Sequence, residues 1–472
     1  MLTLLAALAG CSGSEPPRPP DILLVVLDTV RADHLAVYGH SRDNSRQLAA
    51  LAQAGVLFED VTAPGAWTWP SHASLFTGLP PWQHGAHQNP EVLITASETA
   101  WSKDKLDPEL PTLAEQLAAA GYRTEAHATN DLLAPELGLT RGFAVAKTYD
   151  NDVETVAAAR AALQVDDPRP LLLFVNLLNA HAPYTVAEKI PFAAQHQATL
   201  EAPPAWLAPM VRTESEGALS VDPDQHVGET GVRADMAWHA GQLDIPEEGL
   251  ALLRDLYDSD LVGLDLGLKE LLDAWIGSGR SREVVAVTSD HGEYFGEHRL
   301  LQHCCTTYTP VLGVPLVLAA PGRIPAGLRL SDPVQLQDLH PTLLELAGVV
   351  TERPARSLLR PIEGEPLAGP IQARAWRSVR WAQQAGGLYT DSYRYHREGE
   401  RVVVVPDAGV PQLYDLSADP MMLQDIAPQH PEEAAAMAER ARASIVDRES
   451  TGMLMALDDE TIQKLREMGY ID

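Results

Sequence analysis

The chain has 472 residues, of which 45% are apolar and 21% charged, as is typical of a globular protein rather than a disordered one. Its 65 acidic and 35 basic residues give a formal net charge of -30, which argues against a nucleic-acid partner, because phosphate backbones favour a basic surface. The length exceeds that of one ordinary core and predicts a large domain with a smaller appendage. The acidity keeps the protein soluble, and an anionic substrate needs a local patch of metal and histidine to overcome the overall field.

Residues 1–20 are predicted to be a lipoprotein signal and tether. Residues 2–8 form a short apolar run, and Leu8-Ala9-Gly10-Cys11 resembles the lipobox of bacterial lipoproteins. The implied product is cleaved before Cys11, lipidated on the Cys11 sulfur and exported, as a periplasmic or outer-membrane lipoprotein that its lipid anchors to the membrane. No Lys or Arg precedes the apolar run, in contrast to an ordinary signal peptide, so a plain signal or a misplaced start stay open as alternatives.

Four continuous apolar runs further along predict strands that are buried on both faces. They are residues 22–27, 171–175, 284–287 and 314–318. Helical patterns lie between and after them at residues 113–120, 250–275 and 339–347, the last closed by Gly348. This alternation predicts an α/β fold for residues 21–370, with a mostly parallel sheet flanked by helices.

From about Arg374 the pattern changes. Residues 393–396 and 401–405 belong to short polar and aromatic segments, which are typical of antiparallel strands. Residues 431–446 and 459–468 have helical patterns. Residues 371–472 are therefore predicted to be a smaller C-terminal α+β domain, with antiparallel strands and terminal helices.

Polar side chains follow three of the predicted strands. Asp28 follows the first run, Asn179 and His181 follow the second, and Asp290 and His291 follow the third. Ligands of such sheets bind beyond the carboxyl ends of the strands, so these side chains are expected to converge there. An Asp beside a neutral imidazole suits a borderline divalent metal. Each residue alone is more typical of a cap, but the set predicts a metal site.

Thr68 opens a second candidate element. Pro70 fits the first turn of a helix, and a hydroxyl just before that helix faces unpaired N–H groups that favour anions. Thr68 is therefore either a nucleophile, with phosphate held by the helix end and the metal, or an ordinary N-cap.

The ordered set of motifs resembles the sulfatase family of the alkaline phosphatase superfamily, from about residue 20 to the end. The matching segments are Asp28, Thr68-Trp69-Pro70-Ser71-His72 with Leu75-Phe76-Thr77-Gly78, Leu110-Pro111-Thr112-Leu113-Ala114 with Ala120-Gly121-Tyr122-Arg123-Thr124, Asn179-Ala180-His181-Ala182-Pro183-Tyr184, Ser289-Asp290-His291-Gly292-Glu293 with Gly296-Glu297-His298, Asp338-Leu339-His340-Pro341-Thr342, Leu413-Tyr414-Asp415-Leu416 and Leu465-Arg466-Glu467-Met468-Gly469-Tyr470. The resemblance implies an alkaline-phosphatase-like fold.

The departures from the family pattern concern the nucleophile. The family motif is Cys or Ser, any residue, Pro, any residue, Arg, and its Cys or Ser becomes formylglycine. Here Thr68 and His72 take the first and last places. Thr cannot give formylglycine, because oxidation of its secondary alcohol gives a ketone, so no formylglycine is expected. Thr68 is instead similar to the nucleophile of the phosphoglycerol and phosphoethanolamine transferases, whose metal-activated hydroxyl forms a phospho-enzyme.

The resemblance also implies roles for the other site residues. One divalent metal is expected on Asp28, Thr68, Asp290 and His291, and the imidazole favours Mn²⁺ or Zn²⁺ over Ca²⁺. His181 is expected to bind a non-bridging oxygen or to protonate the leaving group. His303 is expected either to act as an acid or contact the substrate, or to have a structural role. His72 and Asn179 are expected to bind the substrate.

The sequence thus predicts a single-metal hydrolase or transferase that acts on an anionic ester, with phosphate mono- or diesters preferred. Two alternatives stay open: a sulfuric ester hydrolase that works without formylglycine, and a non-catalytic binding protein of the same fold. The segment 191–247, rich in Pro, Asp and Glu, is expected to cover the site. Cys304 and Cys305 are interpreted as packing residues, because adjacent cysteines bridge only through a strained turn.

Overall fold

The computed structural model describes most of the chain from residue 18 onward. The described residues are 18–88, 100–101, 104–186, 189–214, 218–227, 232–280, 283–350, 356–448 and 455–456. The predicted signal with Cys11, the predicted helix at 459–468 and the closing motif at 465–470 lie outside the described residues.

An eight-stranded sheet forms the centre of the molecule. Its strands are Asp21–Leu27 (β1), Val56–Phe58 (β2), Arg123–Ala128 (β3), Val145–Thr148 (β4), Leu171–Leu177 (β5), Glu283–Thr288 (β6), Leu316–Ala319 (β7) and Leu328–Leu330 (β8). They lie in the order β8-β2-β7-β6-β1-β5-β3-β4. β1 pairs in parallel with β5 and β6, and β3 pairs in parallel with β5 and β4. β7 runs antiparallel to both of its neighbours, β6 and β2.

The apolar runs form strands because both faces of the sheet are covered. All seven residues of β1 are buried. Alternate side chains of β1 enter two different hydrophobic cores, with Leu24 in one and Leu23 and Val25 in the other. The sequence of a strand that is buried on both faces is a continuous apolar run and does not alternate between apolar and polar residues. The predicted α/β fold with a mostly parallel sheet is confirmed.

The helices that cover the sheet agree with the predicted patterns where the periodicity is clear. The longer ones are Arg46–Ala54 (α1), Thr68–Thr77 (α2), Leu113–Ala119 (α3), Asp152–Leu163 (α4), Glu247–Gly277 (α5), Leu339–Ala347 (α6), Val379–Ala385 (α7) and Pro431–Ser444 (α8). Shorter ones are Pro81–His84, Pro191–Ala194, Gln197–Glu201, Ala234–His239, Thr309–Leu312 and Leu359–Ile362. Gly348 ends α6 in the left-handed conformation, as predicted. Among the described residues, no helix combines the length and the apolar character that a membrane span needs.

A second sheet follows the main one. It is antiparallel and consists of Ile371–Ala375 (β9), Tyr393–Glu398 (β10), Arg401–Pro406 (β11) and Gln412–Asp415 (β12). Side chains of α8 and β11 share a small apolar core. The predicted antiparallel sheet is confirmed, whereas the domain boundary at residue 371 stays a prediction.

The segment 191–247 contains short elements rather than a long structureless loop. Leu219–Val221 pairs with Val211–Thr213 and with Tyr184–Thr185, which follows β5. His226–Val227 pairs with Val232–Arg233. That this segment covers the site stays a prediction.

Candidate metal and nucleophile site

Three fully buried side chains meet beyond the carboxyl ends of β1 and β6. Asp28 follows β1, and Asp290 and His291 follow β6. Their ligand atoms all lie within 4.8 Å of one another. His291 Nε2 is 3.8 Å from Asp28 Oδ1 and 3.4 Å from Asp290 Oδ2. Because β1 and β6 are hydrogen-bonded neighbours, residues far apart in the chain form one cluster.

Each carboxylate of the cluster is fixed through one oxygen. Asp28 Oδ2 accepts from Asn130 Nδ2 at 2.9 Å and from Asn176 Nδ2 at 3.1 Å. Asp290 Oδ1 accepts the N–H of His291 at 3.1 Å. The other oxygens, Asp28 Oδ1 and Asp290 Oδ2, make no hydrogen bond within the described part of the chain. A buried carboxylate oxygen without a partner is costly, so this pair fits a bound cation.

His291 presents the nitrogen that such a cation needs. Its Nδ1 donates to the carbonyl of Gly292 at 3.0 Å, which leaves Nε2 facing the carboxylates. A ligand His is commonly held in this way through its second nitrogen. The donor set of two carboxylates and one imidazole is one that proteins use to bind divalent metals.

Thr68 faces this cluster instead of capping its helix. α2 begins at Thr68, its N-cap residue is Trp67, and no side chain caps this helix end. Thr68 Oγ1 lies 3.4 Å from His291 Nε2 and 3.3 Å from Asn130 Nδ2. The alternative that Thr68 is an ordinary N-cap is therefore wrong. Its hydroxyl is fully buried, and its role as a fourth ligand or a nucleophile stays a prediction.

His72 lies one helical turn after Thr68. Its Nδ1 donates to the Thr68 carbonyl at 3.0 Å and is 3.4 Å from Asp290 Oδ2. Its Nε2 is buried and makes no hydrogen bond with any described residue. These contacts tie α2 to the ligand Asp290, and a substrate-binding role for His72 stays a prediction.

Two further imidazoles adjoin the cluster. The ring of His303 is 4.4 Å from that of His291 and 5.0 Å from that of His181, centroid to centroid. His181 Nδ1 donates to the carbonyl of Ala182 at 2.7 Å. His303 Nδ1 is 3.1 Å from Glu293 Oε1. The structure therefore brings both predicted catalytic histidines to the metal site, and their catalytic roles stay predictions.

Asn179 does not join this group through any contact that the structure shows. Its side-chain amide donates to the backbone carbonyl of Asp260 on α5 at 3.0 Å. Its own N–H donates to Asp152 Oδ2 at 3.0 Å. These bonds fix the end of β5 to two helices, and substrate binding by Asn179 stays a prediction.

The electrostatics of the cluster differ between its two carboxylates. Burial raises the pKa of Asp28, and the Asp290 charge raises it further. Burial opposes ionisation of Asp290 as well, but the imidazoles of His291 and His72 hold its pKa below the usual range. Burial lowers the pKa of His291, a direction that favours the neutral form of the imidazole, which is the form that binds metals. Burial also lowers the pKa of His303 and raises that of Glu293 to about 7.

The sequence analysis assigned no role to two residues of the site. Asn176 lies inside β5 and Asn130 follows β3, and both donate to Asp28. Asn176 had a signal, since it is the one polar residue in the buried stretch Leu171–Leu177. Asn130 follows β3, whose polar residues do not match the apolar pattern of a buried strand.

The interpretation of Cys304 and Cys305 as packing residues agrees with the structure, in which Cys305 is buried in an apolar core and Cys304 packs against it. Their sulfurs are joined as a disulfide between adjacent residues. Both residues have left-handed backbones, with φ of 98° and 65°, which supply the strained turn that such a bridge requires. The Cys304 N–H donates to the carbonyl of Ala66, two residues before Thr68, at 3.0 Å.

Comparisons with known proteins identify the family and the fold. The family model described as Sulfatase matches residues 20–349. Arylsulfatase K of Xenopus laevis is 31% identical over 215 residues, 43% of this chain and 38% of that protein. Choline-sulfatase of Rhizobium meliloti is 25% identical over 473 residues, 89% of this chain and 85% of that one. The crystal structure of a phosphonate monoester hydrolase of Agrobacterium radiobacter superposes with a TM-score of 0.68 at 20% identity, covering 93% of this chain and 100% of that one.

Proposed function

This chain belongs to the sulfatase family, and from that premise we propose that it is a metal-dependent ester hydrolase or transferase with Thr68 as its nucleophile and phosphate mono- or diesters as preferred substrates. The position of Thr68 Oγ1 carries the proposal. It lies 3.4 Å from His291 Nε2, which in turn faces carboxylate oxygens that make no hydrogen bond with the described residues. A buried hydroxyl with such neighbours is unusual for a purely structural threonine.

Each residue of the site has its own proposed role in catalysis. Asp28, Asp290, His291 and Thr68 would hold a divalent cation, whose positive charge would favour ionisation of the Thr68 hydroxyl and offset the charge of the ester oxygens. Thr68 Oγ1 attacks phosphorus, and the Asn130 amide, 3.3 Å away, stabilises the developing charge on Oγ1. The N–H groups at the start of α2 favour the anionic ester. The resulting phosphothreonine then passes its phosphoryl group to water or to an alcohol.

Phosphate is preferred over sulfate for a chemical reason. A formylglycine hydrate expels sulfate by collapsing back to the aldehyde, whereas an ester of Thr68 has no such exit. The threonine ester must be cleaved at phosphorus or sulfur by a second nucleophile. Phospho-threonine intermediates are suited to that second displacement.

Sulfate ester hydrolysis is the second candidate, because named relatives are sulfatases. The two candidates separate in a panel of 4-nitrophenyl phosphate, bis(4-nitrophenyl) phosphate and 4-nitrophenyl sulfate, each with Mn²⁺, Zn²⁺ and Ca²⁺. We expect the phosphate esters to react fastest with Mn²⁺ or Zn²⁺. Faster sulfate turnover by the wild type refutes the phosphate preference.

Variants of Thr68 test the nucleophile itself. Thr68→Ala is expected to lose activity by roughly 10⁴-fold or more, the scale on which single nucleophile removals fall. Thr68→Ser, the matched control, keeps the hydroxyl and is expected to retain most of the activity. Equal activity in Thr68→Ala and the wild type contradicts the role. A wild type that binds no divalent metal by elemental analysis instead favours the non-catalytic binding protein.

The cellular location is part of the same proposal. We infer export and anchoring through lipid on Cys11, from the Leu8-Ala9-Gly10-Cys11 motif. The full-length protein is expected in the membrane fraction and labelled by a fatty-acid probe, and Cys11→Ser is expected to lose the label. An unlabelled full-length protein in the soluble fraction contradicts it.

A further inference from the structure

Glu293 is a buried acid that the metal site does not use. It lies two residues after His291 and its side chain is fully buried. Its Oε1 is 3.1 Å from His303 Nδ1. Its backbone carbonyl accepts from Arg31 Nη1 at 2.9 Å, so the residue is fixed from both ends. A buried carboxylate is costly unless it is paired, and the pairing here is with an imidazole that borders the site.

The contact with Glu293 decides which nitrogen of His303 is available. Since Nδ1 is engaged by the carboxylate, Nε2 is the nitrogen left for a substrate. The ring of His303 lies 4.4 Å from the His291 ring and 5.0 Å from the His181 ring. His181 is likewise held through Nδ1, by the carbonyl of Ala182. Two imidazoles therefore border the metal-ligand candidates, and Nδ1 of His303 is held by the Glu293 carboxyl group.

We propose that Glu293 is a positioning residue that orients His303 so that Nε2 exchanges a proton with the oxygen opposite Thr68 in the reaction. This rests on the proposed function. In the first step Oγ1 of Thr68 bonds to phosphorus, the Thr68 proton leaves to solvent, and the bond from phosphorus to the leaving oxygen breaks. His303 Nε2 gives its proton to that oxygen, and the alcohol departs.

The second step reverses these roles. A water oxygen bonds to phosphorus as the bond to Thr68 breaks, and Thr68 regains a proton from solvent. Nε2 of His303 takes a proton from the same water. Throughout both steps Glu293 keeps the hydrogen bond to Nδ1, so the ring neither rotates nor changes its anchored nitrogen.

Leaving-group dependence separates this role from a structural one. Phenolate is a poorer leaving group than 4-nitrophenolate and depends more on proton transfer. Glu293→Gln is expected to lower kcat for phenyl phosphate by roughly 10²-fold, within the usual range for general acid catalysis, and kcat for 4-nitrophenyl phosphate by less than about 10-fold. KM is expected to change little for either ester. Glu293→Asp is expected to recover part of the loss for the phenyl ester.

Glu297→Gln is the matched control. Glu297 is an acid of the same loop that pairs with Arg31 at 2.8 Å. Its substitution is expected to lower the melting temperature without making the loss larger for the poorer leaving group. His303→Ala tests the same role through the other partner. The double variant with Glu293→Gln is expected to have the same kcat for phenyl phosphate as His303→Ala alone, because the two residues act as a unit.

Equal losses for the two esters in folded Glu293→Gln and His303→Ala overturn the proposal. If Glu293→Gln does not fold, His303→Ala decides the question by the same comparison. If the wild type cleaves sulfate esters and not phosphate esters, the proposed phosphate preference is refuted but the role of Glu293 is not. The leaving-group dependence of the variants is then measured with phenyl sulfate and 4-nitrophenyl sulfate.

Discussion

Asn130 donates its side-chain amide to Asp28, with 2.9 Å between Nδ2 and Oδ2. The same nitrogen lies 3.3 Å from Thr68 Oγ1. The carbonyl oxygen of the same side chain accepts from the N–H of Leu132, which fixes the amide in this orientation. One amide therefore sets the positions of a metal-ligand carboxylate and the proposed nucleophile.

Asn130→Ala is expected to weaken metal binding by roughly 10- to 100-fold, the range observed when a group that orients a ligand is removed. The physical reason is that Asp28 Oδ2 loses one of its two amide donors. Metal affinity is measured by calorimetric titration. Asn151→Ala is the control, since Asn151 caps α4 through a similar side-chain bond away from the ligand cluster. Unchanged affinity in Asn130→Ala contradicts the orienting role.

Metal removal is expected to lower the melting temperature. Without a cation, Asp28 Oδ1 and Asp290 Oδ2 stay buried with no hydrogen bond from the described residues. Restoring Mn²⁺ or Zn²⁺ to 100 times its Kd is expected to stabilise the folded state by about 2.7 kcal/mol. Thermal melts with and without chelator measure this effect. The melting temperature of the Asp28→Asn, Asp290→Asn double variant is expected not to change with the metal. A wild type that melts at one temperature in both buffers argues against the site.

The sequence predicted the buried strands that are continuous apolar runs and the polar site residues that directly follow them. β1, β5 and β6 are continuous apolar runs, and the residues after β1 and β6 are the metal-ligand candidates. Convergence of Asp28 with Asp290 and His291 followed from parallel strands having their carboxyl ends at one edge.

β3 escaped prediction because buried polar side chains replace the expected apolar ones. Arg123 pairs with Glu125 at 2.6 Å, and His127 lies 3.4 Å from Glu125. Such a charge network is recognisable only once its members are seen to be neighbours. Asn130, which follows β3, was assigned no role. Asn176 was not singled out, because the predicted apolar run ended at residue 175, one residue before it.

Gly292→Ala is expected to destabilise the fold by about 1–3 kcal/mol and to weaken metal binding. A Cβ at Gly292 would overlap the carbonyl oxygen of Pro310 and lie 3.0 Å from Arg31 Cγ. Any shift that relieves the overlap moves His291, whose Nδ1 is held by the Gly292 carbonyl. Urea unfolding and metal titration measure the two effects. Gly277→Ala at the end of α5, where a Cβ meets no atom within 4 Å, is expected to be neutral or stabilising.

Asp260→Asn is expected to stabilise the protein at neutral and alkaline pH. Asp260 is buried on α5, and its carboxyl group contacts the Thr185 N–H at 3.0 Å and the Thr185 hydroxyl at 2.6 Å. Burial raises the pKa of Asp260 to about 8, against 3.8 for the unperturbed group. Between these values the folded state holds a proton that the unfolded state has released. The contribution of Asp260 to stability is therefore full below pH 3.8 and falls as pH rises towards 8, at about 1.4 kcal/mol per pH unit.

Asn is neutral at every pH, and its side-chain oxygen can still accept one of the two hydrogen bonds that Thr185 donates to Asp260. The difference in free energy of unfolding, variant minus wild type, is thus expected to grow from pH 5 to pH 8 and to level off above the folded pKa. Urea melts at pH 5, 6.5, 8 and 9 measure it. Asp273→Asn on the same helix is the control. Asp273 is largely exposed and pairs with Lys269, so its difference is expected to be small and nearly independent of pH. A flat difference for Asp260→Asn would mean that the buried carboxyl is already ionised in the folded protein at pH 5.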